Sequence, residues 1–235
     1  MLTPISQFII IILSLCVESI VMETASSARV RWATANDDVS FLTHEIINPA
    51  YLVGERGIIQ EPFQRTNEAE VKEWIDNQEL LIVAISDDDS LEKDDDDQTV
   101  NNNESDAILG CVRVESKPTK VKWGCLAVHP EHQGKGYGRE LVHAIEKYAI
   151  REGKQQIELE LLIPRYWYHE HKERLRTWYT KSLGYVLANP DQAKDEASLF
   201  TKGRVLMEGI VLETDSDFLI YEKSLVPASR MSNEL

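Results

Sequence analysis

Apolar residues fall along this chain in short compact runs, separated by stretches in which they recur with the period of a helix. Arg29 to Ala33 (RVRWA), Leu80 to Ile85 (LLIVAI), Ile108 to Glu115 (ILGCVRVE), Val121 to Val128 (VKWGCLAV), Ile157 to Ile163 and Phe218 to Leu225 (FLIYEKSL) have the length and composition of strands. The Leu80 run is apolar throughout and predicts a strand buried on both faces, whereas the Ile157 run opens with strict alternation (I-E-L-E-L). Between the runs, Asn36-Asp37-Asp38 can cap a helix that carries Val39, Leu42 and Ile46 on one face. Glu68 to Ile75 repeats the pattern with Val71, Trp74 and Ile75, and Leu141 to Ala149 places Leu141, Ile145, Tyr148 and Ala149 on one stripe. His171 to Leu183 predicts a further helix with Leu175 and Trp178 inward, stopped by Gly184 in the C-cap position. Gly203 to Leu212 also has helical spacing. The order predicts a mixed α/β protein built over one sheet.

Size and charge narrow the class. A chain of 235 residues, 43% hydrophobic and 28% charged, can bury one sizeable core and is too charged for a membrane bundle. A formal charge of −15 argues against a nucleic-acid binder that works by neutralising phosphates. Ten acidic residues and a single base, Lys93, lie between Asp87 and Asp106, so this aperiodic stretch supplies −9 of the total and reads as a disordered loop between two strands. Cys16, Cys111 and Cys125 form neither a disulfide framework nor a metal cluster, and the last two read as small buried hydrophobes. Near the N-terminus, Phe8 to Val17 is apolar but too short to span a bilayer, and no Lys or Arg precedes it. It reads either as a secretory leader or as residues ahead of a true start at Met22, with a cytoplasmic enzyme the expectation; the sequon at Asn103 matters only for a secreted chain.

The segment that carries chemistry is Val128-His129-Pro130-Glu131-His132-Gln133-Gly134-Lys135-Gly136-Tyr137-Gly138-Arg139. Three glycines in five residues between a strand and a helix let backbone N–H groups converge, and the helix dipole favours an anion at that end. Lys135 and Arg139 add positive charge, so a pyrophosphate suits the loop. It is neither a P-loop, since no Ser or Thr follows Lys135, nor a dinucleotide fingerprint, since Gly134, Gly136 and Gly138 alternate. Its pattern is Q/R-x-x-G-x-G/A, filled by Gln133, Gly136 and Gly138. Here the chain resembles the GCN5-related N-acetyltransferase (GNAT) superfamily. A second match is Trp178-Tyr179-Thr180-Lys181-Ser182-Leu183-Gly184-Tyr185, similar to that family's F-Y-x-x-x-G-F segment.

The resemblance implies a mostly antiparallel sheet of about six to seven strands, flanked by helices and splayed after the fourth strand. It implies an N-acetyltransferase domain over residues 28–225, with 1–27 a leader or disordered N-terminus, 87–106 a loop insertion and 226–235 a tail. Acetyl-CoA is the implied co-substrate, with no metal. Its pantetheine would pair with the backbone of Leu126, Ala127 and Val128, and its pyrophosphate would sit among Gln133, Gly134, Lys135, Gly136, Tyr137, Gly138 and Arg139. By the same resemblance an amine would attack the thioester directly, an N–H near Leu126 would stabilise the oxyanion, and Tyr179 would serve the leaving thiolate. The family's usual Glu on the strand before the loop is absent from Val121 to Val128, leaving Glu115 and Glu158 as the leading candidate bases, with Glu160 and His129 also open. The usual Asn after the Ile157 strand is replaced by Pro164-Arg165-Tyr166-Trp167, and the loop Arg165 to Lys172 is expected to line the acceptor pocket. The acceptor is an amine on a small molecule, a protein N-terminus or a lysine. No nucleic acid or membrane partner is expected, and the alternative is a non-catalytic acyl-CoA-binding module.

Overall fold

The computed structural model describes residues 28–85, 106–189 and 199–225. The apolar run at 8–17, Cys16, Met22, the sequon at Asn103, nearly all of the acidic stretch and the tail at 226–235 lie outside the described residues.

The predicted strands form: β1 (Arg29–Trp32), β2 (Leu80–Ile85), β3 (Ala107–Ser116), β4 (Lys120–Val128) and β5 (Gln156–Pro164). Two short strands, β6 (Val186–Leu187) and β7 (Leu199–Phe200), precede a hairpin of β8 (Val205–Met207) and β9 (Ile210–Val211), and β10 (Ser216–Ser224) closes the order. The main sheet runs β1-β2-β3-β4-β5-β10-β6, with β7 also on β10; every pair is antiparallel except β4 with β5. The fold is thus the mixed, mostly antiparallel α/β arrangement expected, with one strand more than the upper expectation in its eight-stranded sheet.

Helices cover both faces. The helical segment α1 passes from Val39–Phe41 through a π-helical stretch, Leu42–Ile47, into Asn48–Gly54, and Asp38 caps it by accepting from the Phe41 amide. With α2 (Glu68–Asp76), capped by Asn67, it buries Leu42, Ile46, Ile47, Val71 and Trp74 against one face. On the other face α3 (Tyr137–Arg151) presents Leu141, Val142, Ile145 and Ala149. Each large apolar side chain so buried contributes about 1.5–3 kcal/mol. Beside α3 lies α4 (Glu170–Thr177), continued by a π-helical turn, Trp178–Ser182, that buries Tyr179. Gly184 then takes a φ of +76°, the left-handed end predicted for it.

Two expectations are corrected. Gly203 to Leu212 is not helical but contains the β8–β9 hairpin, because Gly209, at φ +74°, turns the chain back at Glu208-Gly209. The loop after β5 is shorter than Arg165 to Lys172, since His169 caps α4 and Glu170 begins it.

Candidate active site

The sheet opens where β4 and β5 part. Lys120 to Trp123 pair in register with Gln156 to Leu159, and from Gly124 onward β4 has no β5 partner. On its other side β4 stays paired with β3, but the register slips between Gly124 opposite Arg113 and Ala127 opposite Cys111, leaving an extra residue on β4. That bulge holds Cys125 at a φ of +49°, unusual for a residue with a Cβ. Gly110 on β3 permits it: a Cβ there would lie 2.7 Å from the Ala127 carbonyl oxygen. The result is a strand end, Leu126 to Val128, with one edge unpaired and facing a gap.

The gap continues into the glycine loop. Gly134 and Gly136 have φ of +79° and +95°, and no protein atom lies within 4 Å of where their Cβ atoms would stand. Helix α3 starts immediately after Gly136 with no side-chain cap. Among the described residues, no hydrogen bond engages the amides from Gly134 to Gly138. A helix N-terminus that leaves its donors free beside an open, positively charged loop is an anion cradle. Gln133 points its amide NH2 back onto the Val128 carbonyl (3.1 Å), tying the loop to the strand end, and Lys135 and Arg139 stand exposed.

Loop and gap form one continuous cleft of about 840 Å3. Leu126, Ala127, Val128, Gln133, Gly134, Gly136, Gly138, Arg139 and Tyr179 all line it. Lys135 and Tyr137 belong to the same turn but do not. Tyr179 is buried, its ring meeting Trp123 edge-on at 5.7 Å. Burial, with Tyr185, Glu55 and Tyr221 nearby, raises its pKa well above that of a free phenol, so it stays protonated at neutral pH.

The carboxylates named from sequence fare differently. Glu115 lines the cleft but is held by Lys117 (2.9 Å) and Arg113 (3.4 Å). Burial pushes its pKa up, yet Lys117 and Arg113 outweigh this and hold it low. Glu158 sits where β4 and β5 are still paired, bound to Lys120 at 2.6 Å, and does not line the cleft. Glu160 lines it and is paired with Lys122 at 2.8 Å. His129 is the cap of the short turn Pro130–His132 and stacks on Phe41. Of the segment Arg165 to Lys172, only His171 and Lys172 reach the cleft. Arg165 is bound to the buried Asp217 on β10, and Tyr166, Trp167 and Tyr168 lie at the surface. His169 and His171 have no third ligand: no group of three or more metal-ligating side chains occurs among the described residues.

Glu55, at the end of α1, escaped the sequence reading. It lines the cleft, is 7% exposed, and binds Lys172 through Oε1 at 2.5 Å. Nothing in the sequence singles it out: it stands well past Ile46, the last position of the predicted helix face.

The sequence model of the Acetyltransferase (GNAT) family matches residues 57–185, more than half of the chain and all of the loop just described. The chain belongs to the GNAT acetyltransferase family. No curated protein matches it. Among solved structures, a protein from Desulfovibrio desulfuricans assigned to the GNAT family aligns over 85% of this chain and 100% of its own, at 13% identity and a TM-score of 0.50. An aminoglycoside 6'-N-acetyltransferase, crystallised with coenzyme A, aligns over 85% of this chain and 98% of its own, at 16% identity and a TM-score of 0.50. At these identities the likeness is one of fold, the GNAT fold. No helix among the described residues is long and apolar enough to cross a membrane.

Proposed function

We propose that the chain moves an acetyl group from acetyl-CoA to a primary amine, the amine attacking the thioester directly while both substrates are bound. One observation carries this reading: β4 parts from β5 at Gly124, beside an uncapped helix N-terminus whose amides are free. The residues present fit the donor. The amides from Gly134 to Gly138, with Lys135 and Arg139, would hold its phosphates, and the open edge of Leu126, Ala127 and Val128 would pair with its pantetheine amides. Bound there, the donor supplies an activated acyl group.

This chain's residues do the rest. The Leu126 amide, at the bulge beside Cys125, donates to the developing oxyanion; such a preorganised donor typically contributes about 2.7–4 kcal/mol of barrier lowering. Tyr179, kept neutral by burial, gives the leaving sulfur a proton. Trp123 fixes the ring of Tyr179 from one side and is itself held by its indole N–H on the Tyr185 hydroxyl at 3.1 Å. The test is thiol release from acetyl-CoA over a broad amine panel, with the N-acetyl product weighed by mass spectrometry. Equimolar thiol and product are expected; tight acetyl-CoA binding without product from any amine would mark a binding module instead.

A further inference from the structure

Charges along the cleft divide into those already satisfied and those that are not. Arg113 holds Glu79 and Glu115, Lys122 holds Glu160, and Lys172 holds Glu55. Three arginines lining the cleft have no carboxylate partner among the described residues: Arg139, Arg65 and Arg204. Arg139 belongs to the phosphate loop. Arg65 does not. It lies in the segment between α1 and α2, its guanidinium 5.2 Å from the centre of the Tyr51 ring and one nitrogen 3.6 Å from the Met207 sulfur. Burial disfavours its charge, yet its surroundings, the carboxylates of Glu70 and Glu55 among them, hold its pKa above the ordinary value. Of these carboxylates, Glu70 is engaged by the Thr66 hydroxyl at 2.6 Å and Glu55 by Lys172. Arg204 is exposed and stacks over Phe200 at 3.9 Å.

A second observation is independent of the arginines. Glu55 Oε2 is the one buried side-chain nitrogen or oxygen without a hydrogen-bond partner among the described residues. Lys172 takes the other oxygen, so the carboxylate is anchored while half of it is left unmet at the cleft wall. Buried polar atoms are nearly always paired, and an orphan in a cleft wall marks a partner that arrives with the ligand. A guanidinium without a carboxylate partner and an unmet carboxylate oxygen, on two residues that line one cleft, are complementary to a zwitterion.

We propose that the acceptor is a free amino acid, or an amine carrying a carboxylate in the same relation, with Arg65 taking the carboxylate and Glu55 the ammonium. The inference rests on the reading of the cleft as an acetyl-transfer site and names its second substrate. Glu55 is then the first proton acceptor. Of the two N–H protons the ammonium gives up, one goes to Glu55 and the other replaces the proton that Tyr179 hands to sulfur, as the C–N bond forms and the C–S bond breaks. A protein N-terminus fits less well, because its neighbouring carboxylate is consumed in a peptide bond. Surface charge does not oppose the assignment: screening beyond about 10 Å leaves the contact with Arg65 dominant.

The test pairs each free α-amino acid with its carboxamide and its decarboxylated amine in the thiol-release assay, using the whole chain. The best acceptor should be an acid, with kcat/KM about tenfold or more above its amide, since a site built around a charge rejects the analogue that lacks it. Arg65→Gln should bring that ratio towards one, mainly through KM, with acetyl-CoA affinity confirming the fold. Amides or simple amines that equal or exceed the acids, or a ratio untouched in Arg65→Gln, would overturn the proposal while leaving acetyl transfer standing. Acetyl-CoA binding with no thiol release from any acid, amide or amine would overturn both.

Discussion

Lys172→Met is the perturbation that reads the site's architecture most clearly in stability. The Lys172 and Glu55 side chains are 5% and 10% exposed and meet at 2.5 Å, which joins the end of α1 to the first turn of α4 across the cleft. Removing one partner strands a carboxylate in a site that already leaves one of its oxygens unbonded. Breaking a buried pair in this way costs about 3–5 kcal/mol, against about 0–1 kcal/mol for a pair in water. For a chain of this length, that loss lowers Tm by about 6–20 °C. Urea unfolding of wild type, Lys172→Met and the double variant Lys172→Met/Glu55→Leu measures it. The double variant should regain most of the loss, because two apolar side chains replace two desolvated charges, yet it should not regain acetyl transfer. A single-variant loss below about 1 kcal/mol, or a double variant no more stable than the single, would refute the claim that this pair is buried and mutually dependent.

Tyr179→Phe should lower kcat by about tenfold or more while acetyl-CoA affinity is kept, since only the proton donor is removed; an unchanged kcat in steady-state assays would take Tyr179 out of the mechanism. Gly110→Ala places a Cβ 2.7 Å from the Ala127 carbonyl oxygen, so β3 and the β4 bulge must move apart. A stability loss of about 1–3 kcal/mol, together with weaker acetyl-CoA binding by calorimetry, is expected, and retention of both would show that the bulge is not fixed by this contact. Burial and the charges of Lys172, His169 and Arg174 hold the His171 pKa below its ordinary 6.5. The unfolded chain therefore takes up this proton first, and stability is lost as pH falls below 6.5. Urea midpoints measured from about pH 7 to about pH 5 should fall less steeply in His171→Gln than in wild type, and parallel curves would contradict the assignment.

The donor side was legible in the sequence because its chemistry is local. A strand, three alternating glycines and a helix start lie within one short segment, and the backbone there needs no distant partner to form the cradle. Tyr179 was legible for a similar reason, sitting in a recognisable segment that runs from Trp178 to Tyr185. The acceptor side was not. Glu55 lies 117 residues from Lys172, and the two meet only after α1 and α4 have packed around the sheet. Arg65 stands in a loop that meets the β8–β9 hairpin, and that hairpin lies within Gly203 to Leu212, whose apolar spacing suits a helix. The aromatics at Tyr166 to Tyr168 drew attention by composition, but the Arg165–Asp217 pair pins the start of that loop to β10 and the aromatics stay at the surface.

The central claim is that the free amides of the glycine loop, beside the parted strands, hold acetyl-CoA. Isothermal titration of acetyl-CoA into the whole chain and into Gly136→Val tests it most directly. No protein atom lies within 4 Å of the position a Cβ would take at Gly136, and its φ is +95°, so the substitution acts on the cradle and its ligand rather than on packing. Wild type should bind one-to-one, and Gly136→Val about tenfold or more weakly, because the backbone can no longer present its amides. Equal affinity in the two proteins, or no binding by wild type, would contradict it.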